Sequence, residues 1–109
     1  MSKWTKIVPC NEVGTSIPMG AGVPSAPATA SVTSSSSQAI AANALRKGLI
    51  IINLGATNVS FGCGATAVLN SGITLNANGT WVMDNYTFTT LAINAICAST
   101  ATLSIQEYE

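Results

Sequence analysis

The sequence predicts an all-β protein: one β-sandwich, jelly-roll or immunoglobulin-like, of seven to eight short antiparallel strands behind an extended N-terminal arm. Three observations carry this expectation. Apolar residues fall in strand-length runs, LIIINLG, VSFGCG, ITLNANGTWVMD, LAINAICA and ATLSIQEY, broken by Gly, Asn, Ser and Thr. No run makes a convincing helix, since even ALRKGLI has the β-branched run and flanking Gly of a strand. The length of 109 residues fits one domain, and with only 6% aromatic residues its core must be built from Ile, Val, Leu and Ala. A β-domain of this size is modestly stabilised on its own, and oligomerisation is a common remedy.

Residues 1–28 read as the arm and residues 29–109 as the sandwich. The arm holds all four prolines and three of the nine glycines, residue types that disfavour helix and central strand. Yet Trp4, Ile7, Val8, Ile17 and Met19 make it too apolar for a purely solvated tail. The arm is therefore expected to be dispensable for folding and to order against a neighbouring subunit. ASVTSS and SQAIAAN read as small-residue strands with a soft serine turn between them. Residues 48–54 form the strongest strand, with Ile50, Ile52 and Leu54 on one face and Leu49 and Ile51 on the other. Apolar on both faces, it belongs inside a sheet or under cover on both sides. Residues 58–62 follow, with Val59 and Phe61 turned to the core. CGATAVLNSG is a Gly-rich connection with room for a short strand. Ile73 and Leu75 open a hairpin whose turn is Asn76 to Gly79, where Asn78 and Gly79 both tolerate positive φ. Trp81, Val82 and Met83 make the return strand, within residues 80–84. A turn at Asp84 and Asn85 leads to a strand over residues 91–98. In the last strand, residues 101–107, Ala101, Leu103 and Ile105 face in while Thr102, Ser104 and Gln106 face out.

The chemistry of the side chains points away from catalysis. There is no histidine, which removes the commonest general base and metal ligand. The four carboxylates are Glu12, Asp84, Glu107 and Glu109, too few and too scattered to suggest a paired acid and base. Cys10, Cys63 and Cys97 lack CxxC spacing and read as three reduced thiols behaving as small hydrophobes. We expect no enzyme activity, no cofactor and no metal. A net charge of zero argues against nucleic acid as a partner. No apolar stretch reaches the length of a membrane helix, so no membrane partner is expected. The N-terminus lacks the apolar core of a secretion signal, which suggests folding in a cytoplasm.

Charge is the most informative feature of the composition. Only 7% of residues are charged, against about a quarter to a third on an ordinary soluble surface. Between Gly48 and Gln106 the single charged residue is Asp84. Much of the surface is therefore expected to face other protein, first of all copies of itself. Arg46 and Lys47 are the only basic cluster outside the arm, read as partners for Glu107 or Glu109 of a neighbouring subunit. Trp81 and Tyr86 flank the hairpin end and offer a lesser reading, a sugar-stacking surface.

The run of residues 46–55, RKGLIIINLG, followed by FGCGATAVLNSG, ITLNANGTWVMD, AINAI and the acidic terminal strand LSIQEYE, resembles a pattern of small tailed-bacteriophage virion proteins. The resemblance covers roughly residues 46–109. It implies a β-sandwich on a capsid, neck or tail, often as a homotrimer, assembled in the bacterial host cytoplasm and located in the virion. The expected role is a capsid decoration (cement) protein that binds the major capsid protein or another virion protein. The alternatives are a receptor- or glycan-binding module of a tail or fibre, and a small neck, tail or baseplate subunit.

Overall fold

The computed structural model describes residues 22–109. Within them the chain forms eight strands and no helix. These are β1 (Ala28–Val32), β2 (Ser37–Ile40), β3 (Gly48–Asn53), β4 (Val59–Cys63), β5 (Thr74–Leu75), β6 (Thr80–Val82), β7 (Ile93–Cys97) and β8 (Ala101–Tyr108). They make two four-stranded sheets, β1-β8-β3-β6 and β2-β7-β4-β5, with every pairing antiparallel. The pairs β4–β5, β3–β6, β2–β7 and β1–β8 are nested around the β4–β5 connection. That is the pairing of one long hairpin, bent so that successive pairs fall in alternate sheets. β3–β8 and β4–β7 then close each sheet.

Period-2 alternation decides which side chains meet between the sheets. β3 alternates half-buried and buried along its length, with Leu49, Ile51 and Asn53 inward. Ala101, Leu103 and Ile105 of β8 and Val32 of β1 join them. The other sheet contributes Ile40, Val59, Phe61, Leu75, Ile93, Ala95 and Cys97 to the same core. Phe61 and Trp81 meet across the two layers with ring centroids 5.6 Å apart. Each large aliphatic side chain so buried contributes roughly 1.5–3 kcal/mol before entropy is set against it. The strands that are apolar on both faces, β3 and β7, are interior strands of their sheets.

The turn expected over Asn76 to Gly79 forms, closed by Gly79 N donating to Asn76 O (2.8 Å), but it joins no hairpin. β5 pairs only with β4 and β6 only with β3, so the turn carries the chain from one sheet to the other. A two-residue type I′ hairpin needs positive φ at both central residues. Here Asn78 has φ 62° and Gly79 is not left-handed. The groups that a hairpin ladder would have paired are held by Asn53 instead. Its N–H donates to Gly79 O (2.9 Å) and its carbonyl accepts from Asn78 N (2.7 Å). Its buried amide donates to the carbonyls of Thr57, Leu75 and Asn76.

The Gly-rich connection of residues 64–73 holds no strand. It lies over the outer face of the β2-β7-β4-β5 sheet and buries Ser60 and Ala67. The Ser60 hydroxyl shares a hydrogen bond with Thr74 Oγ1 (2.9 Å) and accepts from Asn70 N (2.9 Å). Asn94 Nδ2 donates to Ala65 O (2.7 Å). This close approach requires Gly62, where a Cβ would stand 2.4 Å from Ala65 O.

Contacts with β8 begin ahead of the boundary expected at residue 29. Val23 and Glu109 exchange backbone hydrogen bonds, and Ser25 N donates to Glu107 O (2.8 Å). Pro24 faces Tyr108 between those two donors, where its missing N–H is not needed. Prolines thus did not keep this stretch off the sheet. β1 is an edge strand, and an edge tolerates them.

Candidate functional site

The nested topology brings the β2–β3 loop, the β6–β7 loop and the end of β8 together. Arg46 holds them. Its residue is 2% exposed, and all three guanidinium nitrogens donate. Nε reaches Glu107 Oε2 at 2.6 Å, Nη1 reaches the carbonyls of Thr89 (2.8 Å) and Leu91 (3.0 Å), and Nη2 reaches Ala41 O (2.8 Å). The planar fork suits such convergent acceptors, and Lys could not match it. Asn43 shapes the turn that delivers Arg46. Its Oδ1 accepts from Leu45 N (3.0 Å), its backbone carbonyl accepts from Arg46 N (3.1 Å), and its Nδ2 donates to Glu109 Oε2 (2.7 Å).

The pairing expected between subunits is therefore made within one chain. Glu107 lies on the inward side of β8 opposite Leu49, which brings it to the Arg46 guanidinium. Glu109 is engaged by Asn43 of the same chain, while Lys47 is exposed and its backbone N–H donates to Tyr108 O (2.8 Å). Trp81 and Tyr86 do not form a stacking platform. Trp81 is 7% exposed and packs on Phe61, whereas Tyr86 is 97% exposed. A Trp in an alternating strand faces the core, and a turn residue does not. The arm residues Trp4, Ile7, Val8, Ile17 and Met19 lie outside the described residues.

Tyr86 rides on a well-defined turn. Asp84 Oδ1 accepts from Tyr86 N (2.9 Å), Thr87 N (3.0 Å) and the Thr87 hydroxyl (3.1 Å). The Thr87 hydroxyl also accepts from Asp84 N (2.9 Å) and from the Trp81 indole (3.3 Å), tying the turn to the core. The hydrogen bonds from Thr87 and Tyr86 hold the Asp84 carboxyl below the ordinary carboxylate value. Burial pushes the Cys63 thiol up, with the charge of Arg46 pulling the other way, so the group stays protonated near neutral pH. Cys97 is buried in the core, its thiol directed at Val32 O (3.6 Å). Around this end Val23, Leu45, Phe88 and Leu91 stand exposed.

The placement of charge is the main property of the surface. All five charged side chains of the described residues, Arg46, Lys47, Asp84, Glu107 and Glu109, belong to this one end. Both sheets beyond it, and the opposite end with its loops after β1, β3, β5 and β7, are without charge among the described residues. At that opposite end an open depression of about 350 Å³ is lined by Ser31, Val32, Thr33, Leu54, Gly55, Thr100, Ala101 and Thr102. It presents hydroxyls and one exposed Leu, and no ionisable group. Among the described residues no group of His, Cys, Asp and Glu is placed to hold a metal ion. No protein-family model, curated protein or solved structure matches this chain.

Two residues organise the ends of β3. Asn53, absent from the candidate residues, is a buried bracket. Arg46 is singled out by the sequence with Glu107 as its partner, but as a contact between subunits rather than the centre of a loop junction within one chain. One signal was available for both: each stands at a boundary of the most apolar strand, where backbone groups leave the sheet and need partners.

Proposed function

We propose that this chain is a non-enzymatic virion structural protein, a jelly-roll sandwich that works by contact with other protein subunits, in the first place as a capsid decoration protein. One observation carries the reading: among the described residues charge is confined to one end, leaving the sheets and the far end as uncharged surface. Such surface is poorly suited to face water alone and well suited to burial against protein, where no charge has to be desolvated. The nested strand pairing is the scheme of a jelly roll, an architecture used in viral capsid domains. The sequence resemblance of residues 46–109 to tailed-phage virion proteins points the same way. In this proposal Trp4, Ile7, Val8, Ile17 and Met19 add apolar contact with a neighbouring virion protein, beyond the point where the chain joins β8.

The work done is interfacial. Apolar area converts to binding only after ordering costs are subtracted, so a small module gains by repetition over many equivalent sites. The test compares particles produced with and without the chain. Particles lacking it should release their DNA at lower temperature, and adding back the purified protein should restore resistance. Equal resistance of both particles would refute the decoration role.

A further inference from the structure

We propose that the outer face of the β1-β8-β3-β6 sheet is a self-association surface, whose occupant is the same face of a second copy of this chain. The two sheets treat their outer faces differently. The β2-β7-β4-β5 sheet is covered by the chain's own loop, which buries Ser60 and Ala67. The other sheet has no such cover among the described residues. Register places Ile50 beside Val82 and Gln106, and Ile52 beside Thr80 and Ser104, on one side of it. Val82 is 61% exposed, and Ile50 and Ile52 are half-buried. Together they make an aliphatic strip across two adjacent strands, flanked by short hydroxyl side chains.

Charge selects the occupant. The strands of this face present no Lys, Arg, Asp or Glu on it, because Glu107 points inward to Arg46. An acidic or basic partner would find no complement on it, and a lipid headgroup would find no cation. A second copy brings an equally uncharged face, so neither repulsion nor charge desolvation opposes the contact. Two such faces can pack about 10 Å apart, their strands offset by about 30°, as sheets do in sandwiches. Around a two-fold axis, Val82 of each copy then lies against Ile50 and Ile52 of the other.

Area sets the strength. Four strands about 4.8 Å apart, over a length of about 20 Å, give a footprint of roughly 400 Å² per copy. With side-chain relief the pair buries on the order of 1,000 Å², the lower bound of a specific interface. An interface at this lower bound is of the transient class, so the association is reversible rather than obligate. It stands independently of the virion reading, which concerns attachment to particles rather than the state of the free chain.

The experiment is sedimentation velocity on full-length protein across the micromolar range. Wild type should shift from one to two chains with concentration. Val82→Glu and Thr102→Lys place a charge on the face at exposed positions and should abolish the shift. Ala77→Glu, which puts a charge at an exposed position in the opposite-end loop, should leave it unchanged. Circular dichroism and the unfolding midpoint confirm that each variant is folded. A wild-type chain that stays monomeric overturns the proposal, as does self-association that survives both Val82→Glu and Thr102→Lys.

Discussion

Replacing Arg46 with Ala should be among the most damaging single changes in the described residues. The substitution removes the donors that satisfy the carbonyls of Ala41, Thr89 and Leu91, and it strands Glu107. Hydrogen bonds to a charged group contribute about 1.5–3 kcal/mol each, but they are not additive, and the loop carbonyls regain some water once the junction opens. Breaking a buried ion pair from one side costs about 3–5 kcal/mol. Because the Glu107 side chain is 21% exposed, the lower half of that range applies, about 3–4 kcal/mol. For a domain of this size each kcal/mol moves Tm by about 4–8 °C, which gives a fall of roughly 12–30 °C. Urea denaturation followed by fluorescence of Trp81, which is buried beside Phe61, measures the loss. Arg46→Lys should fall between, at about 2 kcal/mol, because the charge survives and the fork does not. The double change Arg46→Met with Glu107→Leu should recover much of the loss, since no charge is then left unpaired. A loss below about 1 kcal/mol for Arg46→Ala would show that the junction does not hold the loops, and would refute this reasoning.

Three further outcomes follow from the same geometry. Asn53→Ala leaves the carbonyls of Thr57, Leu75 and Asn76 without their shared donor and should cost about 2–3 kcal/mol in the same denaturation assay. Removing residues 1–28 should lower stability by about 2 kcal/mol through loss of the bonds from Val23 and Ser25 to β8. The Asp84 carboxyl is depressed in the folded state by its bonds from Thr87 and Tyr86, so its contribution is present above the unfolded value of about 3.9 and is lost as pH falls through the lower folded value. Amide NMR of Tyr86 and Thr87 should report opening of that turn only below about pH 3.9, and Asp84→Asn should abolish the pH-dependent step.

Much of the fold was legible because alternation is a local signal. Ala101, Leu103 and Ile105 are buried and Thr102 is exposed, as the period of two requires. The doubly apolar runs became interior strands for the same reason. Two features were not legible, because they depend on contacts distant in sequence. Asn78 and Gly79 carry an ordinary hairpin signal, but the placement of Leu75 and Trp81 on opposite sheets of one core sends the chain across instead. Residues 64–73 read as a connection, and their role as a cover depends on Gly62, Ser60 and Asn94, which meet them only in the folded sheet. The candidate surface was legible in part. Scarcity of charge is visible in the composition, but its confinement to one end appears only when β8 returns Glu107 and Glu109 beside Arg46 and Asn43.

The proposed role makes this chain a repeated protein-contact module on a particle. Counting copies tests it most directly, by quantitative mass spectrometry of purified particles against an isotope-labelled standard of the full chain. A decoration role requires hundreds of copies per particle, in fixed proportion to the major shell subunit. Six or twelve copies would move the protein to a neck, tail or baseplate ring, and absence from the particle would contradict the account.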